Sequence, residues 1–166
     1  LALRAPERVD RLMLIAPFVY ADQLPWAYRD AQRPGLGELI VGLGHPDQMA
    51  WRLEQTLYDD RLVTEPLVQG ARASRSTEGT RAAALATLRA LDLPGRETRW
   101  GQVEQPVLVL AGAEDLVVRV PYAERLVDQL PRARLEVLPL VGHVPMVESP
   151  EVVGRIAAAF VRAGQR

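Results

Sequence analysis

The clearest hydrophobic pattern in the chain is a short apolar run at residues 107–111, between Pro106 and Gly112. Short runs rich in β-branched residues and bounded by turn-forming residues are typical of strands buried in a parallel sheet. Residues 9–16 contain a second run of this character, which ends before Pro17. Both segments therefore predict strands that lie in the interior of a parallel sheet.

A helix and a third strand are predicted after residues 107–111. A ten-residue helical pattern has Pro121 at its first position. Its apolar residues share one face: Ala123, Leu126, Val127 and Leu130. Residues 134–138 then read as a strand with Leu135 and Val137 on its inner side. This order predicts a right-handed strand–helix–strand unit.

Two titratable residues follow the ends of these two strands. Asp115 comes shortly after residues 107–111, and His143 lies in a glycine-containing loop after residues 134–138. Because the carboxyl ends of parallel strands meet at one edge of a sheet, we expect the acid and the imidazole to lie close together. The pair would form half of a catalytic site, with Glu114 as the competing acid.

Residues 18–100 show no strand pattern. Helical stretches separated by proline and glycine are predicted at residues 35–44, 46–58, 65–74 and 80–91, with Thr64 as an N-cap. Pro94-Gly95 predicts the return to the sheet. A last helix is predicted with Ser149 as N-cap, Pro150 as first residue and Gly164 at its end. Its buried stripe is Val153, Ile156, Ala157, Phe160 and Val161.

Composition narrows the possible functions. The 166 residues are 48% hydrophobic, enough for a core, and the net charge of −1 provides no basic field for nucleic acid or anionic lipid. All basic residues are arginine, which excludes lysine Schiff-base chemistry. The absence of cysteine excludes disulfides and suits a reducing compartment, so we expect a cytoplasmic protein. No apolar run is long enough for a membrane span, and we expect no metal or cofactor.

Three motifs together resemble the α/β-hydrolase family. They are Gly112-Ala113-Glu114-Asp115 after one strand, Gly142-His143 after the next, and Glu148-Ser149-Pro150-Glu151 at the start of the last helix. In that family the catalytic triad runs nucleophile, acid, histidine along the chain. The resemblance implies that Asp115 and His143 are the acid and the histidine.

The nucleophile of that triad is missing from the sequence. The chain has only three serines, Ser74, Ser76 and Ser149, and none lies in Gly-x-Ser-x-Gly. The resemblance implies a serine, or an aspartate in some branches, about ten residues upstream of Leu1.

The resemblance further implies a partial α/β-hydrolase fold, with residues 1–17 and 101–166 forming the C-terminal part of the core. This part would hold the last three parallel strands, and residues 18–100 would form an all-helical cap. We expect such a fragment to be inactive alone, and to self-associate through an exposed strand edge.

The implied reaction is hydrolysis of an ester or related bond in a small-molecule substrate. An aspartate nucleophile would instead indicate an epoxide or dehalogenating hydrolase. A non-catalytic binding or scaffold descendant, and a site completed by a separate polypeptide, are further alternatives.

Some cap residues are weaker candidates for substrate contacts. Arg72 and Arg75 lie one turn apart on a predicted helix. They form either a solvated helix face or a clamp for a substrate carboxylate, and C–C bond hydrolases of ring-cleavage products have a clamp of this kind. Residues 60–70 faintly resemble that branch, but Val144 follows the histidine where the branch usually has tryptophan. Trp51 is expected either to pack within the cap or to line a substrate channel, and His45 is expected on a surface loop.

Overall fold

The computed structural model describes residues 1–42 and 48–164. Within them the sheet has three parallel strands in the order β1 (Leu12–Ile15), β2 (Val107–Gly112) and β3 (Ala133–Leu138). Leu12 lies opposite Val107, which lies opposite Ala133 on its other side. The described residues therefore form the three-stranded parallel sheet that the sequence predicts.

The α-helices of the described residues follow in chain order. They are α1 (Trp26–Ala31), α2 (Leu36–Gly42), α3 (Met49–Glu54), α4 (Glu65–Ser76), α5 (Thr80–Ala90), α6 (Leu93–Glu97), α7 (Val120–Gln129), α8 (Pro145–Glu148) and α9 (Pro150–Arg162). Short 3₁₀ turns occur at Pro6–Arg8, Ala21–Gln23, Asp60–Leu62 and Trp100–Gln102. No helix in these ranges is long and apolar enough to cross a bilayer.

The central strand β2 is buried along its whole length because helices cover both of its faces. Alternate side chains of a strand point to opposite faces. Val107, Val109 and Ala111 join one core cluster with Ala123 and Leu126 of α7. On the other face, Leu108 and Leu110 pack with Val153 and Phe160 of α9. The apolar run at residues 107–111 is therefore confirmed as a buried parallel strand.

The edge strands differ in detail from their sequence predictions. Hydrogen-bonded pairing in β1 covers Leu12–Ile15, which is shorter than the predicted 9–16. Val137 is wrongly predicted as an inner residue, since its side chain is 41% exposed. It lies near the end of a strand at the sheet edge, where cover by helices is incomplete. Leu135, on the same face, does pack against the core.

The ends of several helices also differ from their sequence predictions. Residues 1–5 form one turn, in which Arg4 N–H and Ala5 N–H donate to the Leu1 carbonyl. Thr64 and Ser149 hold the predicted N-cap positions, but within the described residues neither side chain makes a capping hydrogen bond. Pro94-Gly95 lies inside α6, since proline is tolerated in a first helical turn and the Asp92 side chain accepts from Gly95 N–H.

The described part of residues 18–100 contains α-helices and 3₁₀ turns and no strand, and its assignment as a cap stays a prediction. In the described parts of the predicted segments 35–44 and 46–58 the helices are α2 and α3, and α3 ends at Glu54, before the predicted end at residue 58. His45 lies outside the described residues, so its expected surface position stays a prediction.

Candidate active site

Asp115 and His143 are in contact at the carboxyl edge of the sheet. Their contact joins His143 Nδ1 to Asp115 Oδ2 over 2.9 Å. The Asp115 side chain is fully buried, whereas the imidazole is 27% exposed. One side of the ring therefore meets a buried carboxylate while part of the ring is open to solvent or a substrate.

The carboxylate of Asp115 is held by its own loop. Its Oδ1 accepts hydrogen bonds from Val117 N–H and Val118 N–H, each at 2.7 Å. A carboxylate can only accept hydrogen bonds, so Asp115 Oδ2 is the acceptor in its contact with His143. The proton between the two atoms is therefore assigned to His143 Nδ1. Nε2 of His143 is then the nitrogen with a lone pair, which is the arrangement that a general base requires.

Backbone contacts tie the loop after β2 to the loop after β3. Ala113 N–H donates to the Leu138 carbonyl at 2.9 Å, and Glu114 N–H donates to the Val141 carbonyl at 3.0 Å. Gly112 lies so close to the second loop that a Cβ there would overlap the Val141 and Gly142 carbonyls. The acid and the histidine are therefore positioned by a shared backbone network as well as by their strands.

The histidine loop, residues 139–144, also contacts the predicted cap. His143 N–H donates to the Thr56 carbonyl at 2.8 Å. Glu148 Oε1 accepts from Gly142 N–H at 2.9 Å, and Glu148 Oε2 accepts from Tyr58 N–H at 2.7 Å. We define Thr56, Leu57 and Tyr58 as the cap strap. The backbone that carries the imidazole thus lies between the cap strap and the Glu148 carboxylate.

Sequence reasoning missed this bridging position of Glu148, which enters the motif only as the start of the last helix. The available signal is its spacing from the histidine. A carboxylate one short helix beyond a Gly-His loop is within reach of that loop's backbone N–H groups. The Thr56 carbonyl has no sequence signal, because every residue carries a backbone carbonyl.

The other predicted site residues lie elsewhere. Glu114, the alternative acid, is exposed, and the contact to His143 is made by Asp115. Trp51 lies on α3 with a 58% exposed side chain, and Arg72 is half-buried on α4. A substrate contact for either residue stays a prediction. Ser74 and Ser76 lie on α4 and Ser149 between α8 and α9, so none of them follows a strand as a nucleophile does.

Exposed apolar side chains lie on the loop after β2 and on α8, which follows the histidine loop. Leu116 and Val117 directly follow Asp115, and Met146 and Val147 lie shortly after His143. Isolated exposed apolar residues are ordinary, but four of them close in the chain to Asp115 and His143 are apolar side chains available for contact with another molecule.

A charged cluster joins the two places where the chain passes between the sheet and the helical region. Arg125 of α7 lies 3.2 Å from Asp22 and 3.6 Å from Glu97, and Glu97 accepts from Ala21 N–H at 2.5 Å. The Arg125 guanidinium also stacks on the ring of Tyr20, 3.9 Å from its centroid. Burial raises the pKa of the Tyr20 phenol above its ordinary value, although the nearby Arg125 charge opposes that rise.

Comparison with known proteins gives relatives that share one superfamily. The pimeloyl-[acyl-carrier protein] methyl ester esterase of Nitrosomonas europaea is 30% identical over 171 residues, which cover 91% of this chain and 61% of the esterase. A 2-hydroxy-6-oxononadienedioate/2-hydroxy-6-oxononatrienedioate hydrolase of Comamonas testosteroni is 28% identical, with 98% of this chain and 58% of the hydrolase covered. The chain thus spans about three fifths of the length of these relatives.

A solved structure shows the same fold. The meta-cleavage product hydrolase from Pseudomonas fluorescens IP01 superposes with a TM-score of 0.78 at 21% sequence identity, covering 98% of this chain and 59% of that protein. The model of the alpha/beta hydrolase family matches residues 1–156. Since this match spans nearly the whole chain and the described strands form the corresponding parallel sheet, the chain belongs to the alpha/beta hydrolase family.

Proposed function

We propose that the chain supplies the proton-handling half of a hydrolase active site. His143 is the general base, and Asp115 is the acid that orients it. The observation that carries this proposal is the 2.9 Å contact between a fully buried carboxylate and a partly exposed imidazole. Groups of this kind and geometry are the second and third members of the hydrolase triad.

The proposed chemistry follows from the proton positions. A serine hydroxyl is a weak nucleophile near neutral pH and needs a base within hydrogen-bond reach. His143 Nε2 takes the hydroxyl proton as the serine oxygen attacks the substrate carbonyl, and returns it to the leaving group when the carbonyl–leaving group bond breaks. Water then attacks the acyl-enzyme by the same proton route. Asp115 stabilises the imidazolium in each step and keeps the proton on Nδ1.

The attacking atom and the oxyanion donors are proposed to come from residues outside this sequence. None of the three serines lies at a strand–helix turn, and the chain has no cysteine. The relatives extend beyond the matched region, since this chain covers only 61% of the esterase. A longer polypeptide that carries Gly-x-Ser-x-Gly ahead of Leu1, or a separate polypeptide with that motif, would complete the site. The oxyanion donors would accompany the nucleophile.

Ester hydrolysis is the proposed reaction class. The similarity to a methyl ester esterase over 91% of the chain supports it. The exposed Leu116, Val117 and Met146 beside the two catalytic loops suit a substrate with an apolar portion. Aspartate in the nucleophile position would change the class to epoxide or dehalogenating hydrolysis, because the ester intermediate would then form on the enzyme carboxylate.

Hydrolysis of a C–C bond in a ring-cleavage product is the second candidate. The similarity to the Comamonas testosteroni hydrolase, which covers 98% of this chain, favours it. Val144 after the histidine, in place of the tryptophan usual in that branch, favours the ester reaction instead. A carboxylate clamp by Arg72 belongs to this second candidate only.

Two assays test the proposal. The 166-residue chain alone should hydrolyse p-nitrophenyl acetate no faster than its His143→Ala variant. A longer polypeptide that includes a Gly-x-Ser-x-Gly segment ahead of Leu1 should hydrolyse the ester, and Asp115→Asn should lower its kcat by about 10,000-fold. Loss of the visible absorbance of a 2-hydroxy-6-oxo-dienoate would identify the C–C reaction.

The opposite results would refute it. Turnover by the isolated chain that disappears in His143→Ala would show that the nucleophile lies within these residues. A completed polypeptide that turns over with Asp115→Asn unimpaired would remove the dyad from the mechanism. A completed polypeptide inactive on both substrate classes would favour a non-catalytic descendant of the fold.

A further inference from the structure

We infer that Glu148 is a positioning residue that couples the cap strap to the orientation of the catalytic imidazole. The inference rests on the proposed role of His143 as base, and it goes beyond that role by assigning a device that makes the base depend on the cap. Glu148 is the last residue of α8, five residues after His143, and it is half-buried.

The Glu148 carboxylate bonds to both sides of the histidine loop. Oε1 accepts from Gly142 N–H at 2.9 Å and, at 3.4 Å, from Val144 N–H. These two residues flank His143 in the chain. The carboxylate therefore holds the backbone before and after the imidazole, and this limits rotation of the segment that carries it.

The same carboxylate reaches across to the cap strap. Its Oε2 accepts a hydrogen bond from the N–H of Tyr58 at 2.7 Å, and Tyr58 lies 90 positions away from Glu148 in the chain. The strap also contacts the histidine directly, since the Thr56 carbonyl accepts from His143 N–H at 2.8 Å. Gly142 lies so close that a Cβ on it would stand 2.8 Å from both Thr56 O and Tyr58 N.

These contacts make the strap and the imidazole interdependent. If the strap moves away from the loop, His143 N–H loses its acceptor and Glu148 loses a donor that orients it. Any change that loosens the loop likewise removes two partners from the strap. A coupling between two sites is reciprocal, so a perturbation on either side is expected to appear on the other. The base would thus be held in its working orientation while the strap is in place.

A carboxylate is suited to this bridge because both of its oxygens only accept. Glutamine has one oxygen and one NH₂ group, so Glu148→Gln can satisfy the N–H donors of one side while its NH₂ faces those of the other. Glu148→Ala removes both links. The matched control is Glu151→Gln, because Glu151 is an exposed carboxylate in the first turn of α9 and makes the same change of charge.

The test is nuclear magnetic resonance of the 166-residue chain. Long-range proton–nitrogen spectra distinguish an imidazole fixed as the Nδ1–H tautomer from one that averages between tautomers. The chain has two histidines, so His143→Ala identifies the signals. In Glu148→Ala we expect tautomer averaging at His143, together with at least about tenfold faster exchange of the Tyr58, Gly142 and His143 amides. Glu148→Gln is expected to show smaller changes of the same sign, and Glu151→Gln none.

The reciprocal arm perturbs the strap alone. Leu57 is buried in the strap, so Leu57→Ala should displace it without touching Glu148. Coupling predicts the same averaging at His143 in Leu57→Ala, with β2 amides still protected. A fixed Nδ1–H tautomer in both Leu57→Ala and a folded Glu148 variant would overturn the inference. If both Glu148 variants unfold, the Leu57→Ala variant alone decides the question: averaging at His143 supports the coupling, and a fixed Nδ1–H tautomer rejects it.

Failure of the proposed function has a different signature. If the wild-type chain already shows an averaged imidazole, and Asp115→Asn leaves its spectrum unchanged, the Asp115–His143 dyad itself is wrong. A fixed tautomer that Asp115→Asn abolishes, but that no Glu148 or Leu57 variant affects, would leave the dyad intact and reject only the coupling.

Discussion

Gly112 at the end of β2 lies against the carbonyl of Gly142 in the histidine loop, with no room for a side chain between them. This contact sets the distance between the loop that carries Asp115 and the loop that carries His143. The atoms that a Cβ on Gly112 would meet are the backbone carbonyl oxygens of Gly142 and Val141, which cannot rotate away as a side chain can. The glycine is therefore required by close approach of two backbones.

Gly112→Ala should destabilise the chain by about 1–3 kcal/mol, because one of the two loops must shift to admit the methyl group. Urea unfolding measures this. The control is Gly154→Ala on α9, where a Cβ meets open space and where alanine should stabilise the helix by about 0.5–1 kcal/mol. Equal stabilities of the two variants would contradict the close contact.

Leu140 adopts a left-handed backbone conformation, with φ at 57°, in the turn between β3 and His143. This region costs a non-glycine residue about 1–2 kcal/mol, and the Leu140 side chain is exposed, so it gains little from burial. Leu140→Gly should therefore raise the free energy of unfolding by about 0.5–1 kcal/mol after the greater chain entropy of glycine is subtracted. Leu116→Gly, at an exposed leucine without a positive φ, should lower it. A Leu140→Gly chain less stable than wild type would refute this account of the turn.

Tyr20 gives the chain a stability that falls in alkali. Its ring is buried, its hydroxyl donates to Gln129 Oε1 at 2.9 Å, and burial raises its pKa above 10.0 in the folded state. Between that value and the raised pKa the folded state keeps a proton that the unfolded state releases, so stability declines as pH rises above about 10. Denaturant melts between pH 9 and 11 should show the decline.

Tyr20→Phe should flatten this alkaline decline, since the titrating hydroxyl is gone, at the expense of one hydrogen bond at neutral pH. Tyr28→Phe on α1, at a more exposed tyrosine, is the matched control. An alkaline slope that Tyr20→Phe leaves unchanged would assign it to other groups.

The outer edge of β1 is expected to promote self-association. Leu12 N–H and Ala16 N–H donate to carbonyls at Pro106 and Leu110, so the alternate peptide groups at Met13 and Ile15 face away from β2. In the described residues no further strand lies beyond them. Such an edge is a template for pairing with another strand.

Light scattering should show an average mass that rises with protein concentration. Over the same concentration range the Met13 and Ile15 amides should become more protected from hydrogen exchange. Amides of β3 serve as the internal reference, because their strand lies at the other side of the sheet. A monodisperse monomer at high concentration would contradict the prediction. Addition of a polypeptide that supplies the neighbouring strand should suppress the association.

The edges of the fold show where local patterns stop being sufficient. A continuous apolar run identifies β2 because both faces of the strand are buried, so each of its positions is occupied by an apolar residue or glycine. Val137 carries the same type of side chain as its buried counterparts, yet it is exposed, because burial at an edge depends on which helix covers it. Thr64 and Ser149 likewise hold cap positions without making the side-chain bond, which depends on rotamers that the pattern does not specify.

The sequence by itself determined the parallel strands, the helix between β2 and β3, and the meeting of Asp115 with His143, because strand order and handedness bring the ends of neighbouring parallel strands to one edge. Only the tertiary structure decided which surroundings hold that pair. Thr56, Tyr58 and Glu148 reach the histidine loop through backbone groups and a carboxylate brought from distant parts of the chain. Backbone donors and acceptors are the same at every residue, so their partners follow from the folded geometry alone.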